Sequence, residues 1–413
     1  MRLKGVPYTY YVVFACFLIL FFNSGARYAF GVILKPIGSD FGLGRGSVSS
    51  VFLVNMIVFA LSLPFTGKLY DRLGARPIII SATILLALGL FLTAKATSYL
   101  ALFFSYGVIA ALGISGTSIP LISAIVSKWV SKSEGMIVSL SLSGHSLGHF
   151  FLVPLIGILT ERYGWRGAYT IFAAIILFVN LSLSLLVFKK PKEERLKRVK
   201  EAQILSSNND IDLAFALKTP SMWFFAFMMF VCGGGDYFVV THLVAMATDF
   251  GISQIEATNM LGLYGFMSLL GILVAGPFAD RYGCKIPILF TFLLRVLLFY
   301  GISIFKSTFS FYVFSLIFGL THLVTAPLTP YLAGKMYGKS HLGSIVGFIN
   351  TVHFLGGGLF GYLGGSLFDM TSSYDVSFYI LGSLSLLASL STLPIKEKRH
   401  SLQEVSASSK DLA

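Results

Sequence analysis

Arg27 lies inside YYVVFACFLILFFNSGARYAFGVILKPIG, a stretch otherwise apolar enough to cross a bilayer. A guanidinium in hydrocarbon costs several kcal/mol unless something pairs with it, and its planar fork suits a carboxylate held through two parallel hydrogen bonds. Asp236, in GGGDYF, is an acid in the interior of another apolar stretch. His145 in GHSLG, His353 in VHFLG and His322 in THLVTAPLTPY are imidazoles, the side chain whose charge changes near neutral pH. His353 shares a helical face with Asn350, three residues earlier. His322, Thr325 and Thr329 recur at helical spacing, with Pro327 and Pro330 loosening the helix before Tyr331, a pattern suited to a binding site or a gating bend. These residues suggest handling of a small anion and a proton. Arg27, Tyr331, His353, Asn350 and His322 are the candidate substrate contacts, and Asp236, His145 and His353 the candidate proton carriers. The plainer alternatives are a permanent structural lock for Arg27, or its snorkelling to the nearby helix end, and helix packing for the histidines.

Other chemistry finds less support. His145 and His149 sit four apart but lack a nearby acid or thiol, and Cys16, Cys232 and Cys284 show no ligand-like spacing, so neither a metal site nor a disulfide is expected. There is no HExxH, phosphate-cradling glycine loop or pair of carboxylates, so no catalytic residue and no cofactor are expected, and an enzyme or a receptor is the least favoured class.

The elements that must position these groups are membrane spans. The chain has 413 residues, 55% hydrophobic and 12% charged, with a mean hydropathy of +0.81; a soluble domain carries about 25% charged residues. Apolar stretches near the roughly 20 residues that cross a bilayer recur at 10–33, 47–69, 77–96, 100–127, 136–160, 167–188, 220–246, 254–278, 287–305, 309–334, 342–368 and 375–394. The opening MRLKGVPYTYYVVFACFL lacks a small-residue cleavage site and reads as the first span. With the first residue inside, 23 Lys/Arg fall on the cytoplasmic side, including those of KKPKEERLKRVK at 189–200. Six (Lys35, Arg45, Lys95, Arg162, Arg166 and Lys306) fall outside, and Arg27 and Arg295 lie within spans. That asymmetry places both termini in the cytoplasm and accounts for the net charge of +13 without nucleic acid.

The chain also repeats itself. SDFGLGRGSVSSVFLVNMIVFALSLPFTGKLYDRLGARP from Ser39 aligns without a gap on TDFGISQIEATNMLGLYGFMSLLGILVAGPFADRYGCKI from Thr248 at an offset of 209, and GHSLG aligns on VHFLG at 208. The repeat implies two six-span halves of the same topology, 1–190 and 219–395, joined by a cytoplasmic linker at 191–218, with a flexible tail at 396–413. The same offset carries Arg27 onto Asp236. Residues related by such an axis lie at similar depth and can meet directly or across a ligand. A pair of this kind is marginal in energy and therefore suits a switch. An anion takes over Arg27, and the released Asp236 takes a proton. Arg295, in the middle of a peripheral ninth span, is expected to point inward at a neighbouring span; the role of His242 stays open.

The loops GKLYDRLGAR (67–76) and GPFADRYGCK (276–285) resemble the GxxxDRxGR loop of the major facilitator superfamily, and both copies fall where that family has it, after the second and eighth spans. The resemblance implies an all-α integral membrane fold with twelve transmembrane helices and a central substrate cavity. It also implies conformational gating by Gly67, Asp71, Arg72, Gly74 and Arg76 and by Gly276, Asp280, Arg281 and Gly283. GARYAFGVILKPIGSDFG, ALKTPSMWFFAFMMFVCGGGDYFVVTHLVAMATDFGIS and VHFLGGGLFGYLGGSLFDMTSSY resemble the monocarboxylate and oxalate–formate transporter branch. Ile272 and Ile349 stand where that branch has a span-8 Arg and a span-11 Lys, and MRLKGVPY lacks the opening motif of its animal members. Likeness to this branch implies a secondary transporter of a small organic anion, such as lactate, with a proton, acting as a monomer in the lipid of the cell membrane. An anion exchanger and an exporter of amphipathic compounds are the alternatives.

Overall fold

The computed structural model describes residues 8–129, 134–188, 211–338, 340–395 and 397, and among them every regular element is helical. The basic run at 189–200, most of the linker and the tail apart from Glu397 lie outside the described residues. Among the described residues ten helical stretches are long and apolar enough to cross a membrane, with Tyr8–Phe41, Tyr99–Trp129 and Thr308–Tyr337 each counted as one. In chain order the elements are α1 (Tyr8–Tyr28), α2 (Phe30–Phe41), α3 (Arg45–Leu73), α4 (Ala75–Lys95), α5 (Tyr99–Leu102), a π-helical segment (Phe103–Ala110), α6 (Ala111–Ser115), α7 (Ile119–Trp129) and α8 (Glu134–Val187). The second part of the chain contributes α9 (Leu213–Ala216), α10 (Pro220–Asp249), α11 (Gln254–Tyr282), α12 (Lys285–Ile304), α13 (Thr308–His322), α14 (Thr325–Tyr337), α15 (Leu342–Thr371) and α16 (Asp375–Ser391).

The helices depart from the apolar stretches at informative places. The fifth and sixth stretches run on as one helix, α8, broken only at Gly164, whose φ of 70° and ψ of 165° are not helical. The fourth and tenth stretches are each interrupted in mid-course, the fourth between α6 and α7 and the tenth between α13 and α14. Proline sits just inside the second helix of both interruptions, Pro120 in α7 and Pro327 in α14. Its missing N–H and its steric demand on the preceding turn explain why the helix stops there.

The chain forms two compact units, Met1–Val199 with Val240–Phe266, and Lys200–Val239 with Met267–Ala413. The boundary does not follow the repeat, because the end of α10 and the start of α11 pack with the first unit. Inside each unit one close helix pairing recurs. A Cβ added to Gly148 of α8 would lie 2.1 Å from the Phe21 carbonyl oxygen of α1, and one added to Gly356 of α15 would lie 2.1 Å from that of Phe230 in α10. In lipid, helices gain little from burying apolar surface and associate through such close backbone approach.

Candidate functional site

The most strongly charged buried cluster among the described residues is built around the interruption in the tenth stretch. Ending α13 at His322 leaves carbonyls without their helical donors. Arg295 of α12 supplies donors there. Its Nη2 donates to the Thr321 carbonyl oxygen at 3.1 Å and its Nε to Thr321 Oγ1 at 3.1 Å. Nη1 donates to the Cys232 carbonyl oxygen at 3.2 Å, and the guanidinium lies 4.7 Å from the centre of the Phe318 ring. A cation at a helix C-terminus also complements the helix dipole. The expectation that Arg295 points inward at neighbouring spans holds.

Its charge is balanced by Asp236, which is 1% exposed. Arg295 Nη2 lies 2.6 Å from Asp236 Oδ1. His322 Nδ1 lies 3.1 Å from the same oxygen, and His353 Nε2 lies 4.0 Å from Oδ2. Cys232, one turn earlier on α10 and so on the same face, donates to Oδ2 at 3.5 Å. His353 reaches this group because Gly233 lets the α15 backbone press against α10; a Cβ there would lie 1.8 Å from the His353 carbonyl oxygen. Taking two charges out of water offsets most of their attraction. The pair is therefore poor as a stabiliser, yet losing either member would be costly.

The first unit holds the other candidate group. Arg27 is 5% exposed; its Nη2 donates to Met56 Sδ at 3.4 Å, and its guanidinium lies 4.2 Å from the centre of the Phe59 ring. A thioether and an aromatic face are soft partners that hold a guanidinium more weakly than a carboxylate does. Beside it, Tyr28 Oη lies 3.0 Å from His145 Nε2, and its ring stacks on His149 with centroids 4.1 Å apart. GHSLG, residues 144–148, also spells GxSxG, but a nucleophile elbow needs a strand-to-helix turn and these residues lie inside α8.

Charged contacts also gather at the helix ends. Arg45 donates to both oxygens of Asp249, at 2.6 and 2.7 Å, and Lys35 donates to Asp249 Oδ1 at 2.9 Å. Asp40, the repeat mate of Asp249, instead accepts from Trp165 and Arg166, each at 3.1 Å, while Arg166 Nη1 also donates to the Ala94 and Ala96 carbonyls. In the first DRxG loop Asp71 accepts from Lys128 at 3.1 Å. In the second, Glu397 from the tail accepts from the backbone N–H of Lys285, the first residue of α12, at 2.5 Å, and lies 3.6 Å from Lys335 Nζ.

Of the residues singled out by sequence, the structure gathers Asp236, His322 and His353 into one group. Asn350 is half-buried one turn before His353, and Tyr331 is 42% exposed under the Lys335 ammonium, 4.6 Å above its ring. His145 lies with Arg27 in the first unit, as does the fully buried His242. The cation on Asp236 is Arg295, where the repeat offset pairs Asp236 with Arg27. An offset relates backbone positions and carries no information about which long side chain reaches an acid. The contribution of Cys232 was also missed, although its four-residue spacing from Asp236 was readable.

The family model described as Major Facilitator Superfamily matches residues 16–246 and 225–410. An uncharacterized MFS-type transporter, YcxA, of Bacillus subtilis (strain 168) is 24% identical over 386 residues, covering 90% of each chain. Monocarboxylate transporter 13 of Bos taurus is 26% identical over 387 residues, covering 91% of this chain and 88% of the relative. Among solved structures, a D-xylose–proton symporter superposes with a TM-score of 0.77 at 13% identity, covering 95% of this chain and all of that one. The nucleoside transporter NupG gives 0.74 at 16% identity over 92% of this chain and 99% of that one. Similarity at this level fixes the fold, and every one of these relatives is a transporter.

Proposed function

Because the chain belongs to the major facilitator superfamily, we propose that this multi-pass membrane transporter is a twelve-span symporter. It moves a small organic monocarboxylate with a proton by alternating access in a cell membrane, with both termini cytoplasmic. The observation that carries the reading is a buried acid with two imidazoles within 4.0 Å of its carboxylate, beside an interrupted helix. Interrupted helices are where transporters of this architecture place their sites. The names of the relatives support a monocarboxylate as the substrate class.

In this reading the substrate carboxylate takes the Arg27 guanidinium from Met56 and Phe59 in a two-pronged contact. The proton, drawn from the medium, is held within the Asp236, His322 and His353 group. The charge it adds there matches the charge the anion brings, so the loaded protein crosses its midpoint without a net burden. Access to the bound anion and proton then passes from one side of the membrane to the other.

The test is lactate uptake into liposomes with and without an inward proton gradient. Gradient-driven uptake that disappears in Arg27→Ala and loses its dependence on the gradient in Asp236→Asn is the expected result. Full uptake by Arg27→Ala would make that arginine part of the scaffold and send the search to His353 and Tyr331. A second reading, exchange of one anion for another, is favoured by the 2.6 Å contact of Arg295 with Asp236. If that pair never opens, Arg27 must return with another anion. Accelerated counterflow in the absence of a gradient distinguishes exchange from symport.

A further inference from the structure

The two oxygens of Asp236 face different chemistry. Oδ1 takes Arg295 and His322. Oδ2 is turned toward the Cys232 thiol at 3.5 Å and His353 Nε2 at 4.0 Å, and the three donor atoms all lie within 4.8 Å of one another. They represent three ligand chemistries, two from one face of α10 and one from α15. His353 Nδ1 lies 3.2 Å from the Met229 carbonyl oxygen. A carbonyl only accepts, so Nδ1 carries the hydrogen and Nε2 is the nitrogen presented to Asp236. Histidines that bind metals are oriented in this way, through a hydrogen bond from the far ring nitrogen.

From this geometry we propose that Cys232 Sγ, Asp236 Oδ2 and His353 Nε2 form a binding site for a thiophilic divalent cation of the Zn2+ class, whose occupancy pins α10 to α15 and arrests transport. A tetrahedral ion with metal–sulfur bonds of about 2.3 Å and metal–nitrogen and metal–oxygen bonds of about 2.0–2.1 Å holds its ligands roughly 3.3–3.6 Å apart. The observed 3.5 Å between Cys232 Sγ and Asp236 Oδ2 already fits, and the two separations from His353 Nε2, 4.0 Å to Oδ2 and within 4.8 Å to Sγ, close with a His353 movement of about 1 Å. Nitrogen and sulfur donors select soft and borderline ions over Mg2+ or Ca2+. Three protein ligands leave the fourth position for water. His353, whose side chain is 13% exposed where Asp236 is 2% exposed, marks the side from which an ion enters. Arg295 stays on Oδ1, so the carboxylate bridges guanidinium and metal. The thiol gives up its proton to the medium as the metal–sulfur bond forms.

The arrest of transport rests on the transporter reading, whereas binding does not, so the two are measured separately. Binding is read with Cd2+ added to the purified full chain in detergent. A sulfur-to-metal charge-transfer absorption saturating at one ion per chain is expected. It should persist in Cys16→Ser and Cys284→Ser and vanish in Cys232→Ala. Should Cys232→Ala fail to fold, His353→Gln keeps the thiol and is expected to weaken Cd2+ at least tenfold. An absent charge-transfer band, or one that survives Cys232→Ala or is unmoved by His353→Gln, overturns the site. With binding established, Zn2+ in the liposome assay should suppress uptake and EDTA should restore it. Undiminished uptake with the site filled would overturn the arrest while leaving the site in place.

Discussion

Both halves of the molecule interrupt a helix at the same stage of the repeat, and they satisfy the resulting loose ends in opposite ways. In the first unit the amide of Asn23 donates to the Ile114 carbonyl oxygen at 3.0 Å and to Thr117 Oγ1 at 2.7 Å. The whole arrangement is neutral. In the second unit Cys232 occupies the repeat position of Asn23 and contacts Thr325 Oγ1 at 3.5 Å, while Arg295 supplies the donor to Thr321. A guanidinium brings charge into the membrane, the charge requires Asp236, and the acid recruits two histidines. The structural need is the same in both places. Only one answer to it buries a charged pair with two imidazoles beside it.

The largest effect should come from separating the charges. Arg295→Ala strands Asp236 in a buried site and is expected to cost about 3–5 kcal/mol, read as a lowered midpoint of thermal unfolding in detergent. Replacing both members, Asp236→Leu with Arg295→Met, should recover most of that stability while gradient-driven uptake stays lost. If the double variant is no more stable than the single one, the second interruption depends on its donors and not on its charge balance. Asn23→Ala is the neutral counterpart and should cost about 0.5–1.5 kcal/mol, the net worth of a neutral hydrogen bond, because the Ile114 carbonyl oxygen keeps the Thr117 N–H at 3.3 Å. An effect as large as that of Arg295→Ala would erase the distinction between the two halves. The smallest differences belong to the repeat-related acids at the helix ends. Asp249→Asn should cost about 0.2–1 kcal/mol, because Arg45 and Lys35 lose their shared acceptor. Asp40→Asn should cost less, since Arg166 keeps the carbonyls of Ala94 and Ala96.

These contrasts show what a sequence can and cannot carry. The spans are written in runs of apolar residues, and the duplication in the DRxG loops, because both are local or repeat at a constant interval. Pro120 and Pro327 mark the two interruptions for the same reason. Arg27 and Asp236 stand out because a charge in an apolar run is conspicuous on its own. The partnership of Asp236 with Arg295 joins residues 59 apart on different helices and depends on how α10, α12 and α13 pack. The repeat pointed instead to Arg27, since symmetry relates helices while the partner is chosen by side-chain reach. Tyr331 follows two prolines and lies 42% exposed; a helical face is not readable from spacing alone where prolines interrupt the period.

The hold of Glu397 on the start of α12 has a consequence for how the protein is made. The two residues are separated by 112 positions, so the first turn of α12 leaves the ribosome long before its acceptor exists. At roughly 5–20 residues per second, that helix waits about 6–22 s for its cap. A message cut short just before the Glu397 codon would yield a chain with every described helix in place and this one clasp missing.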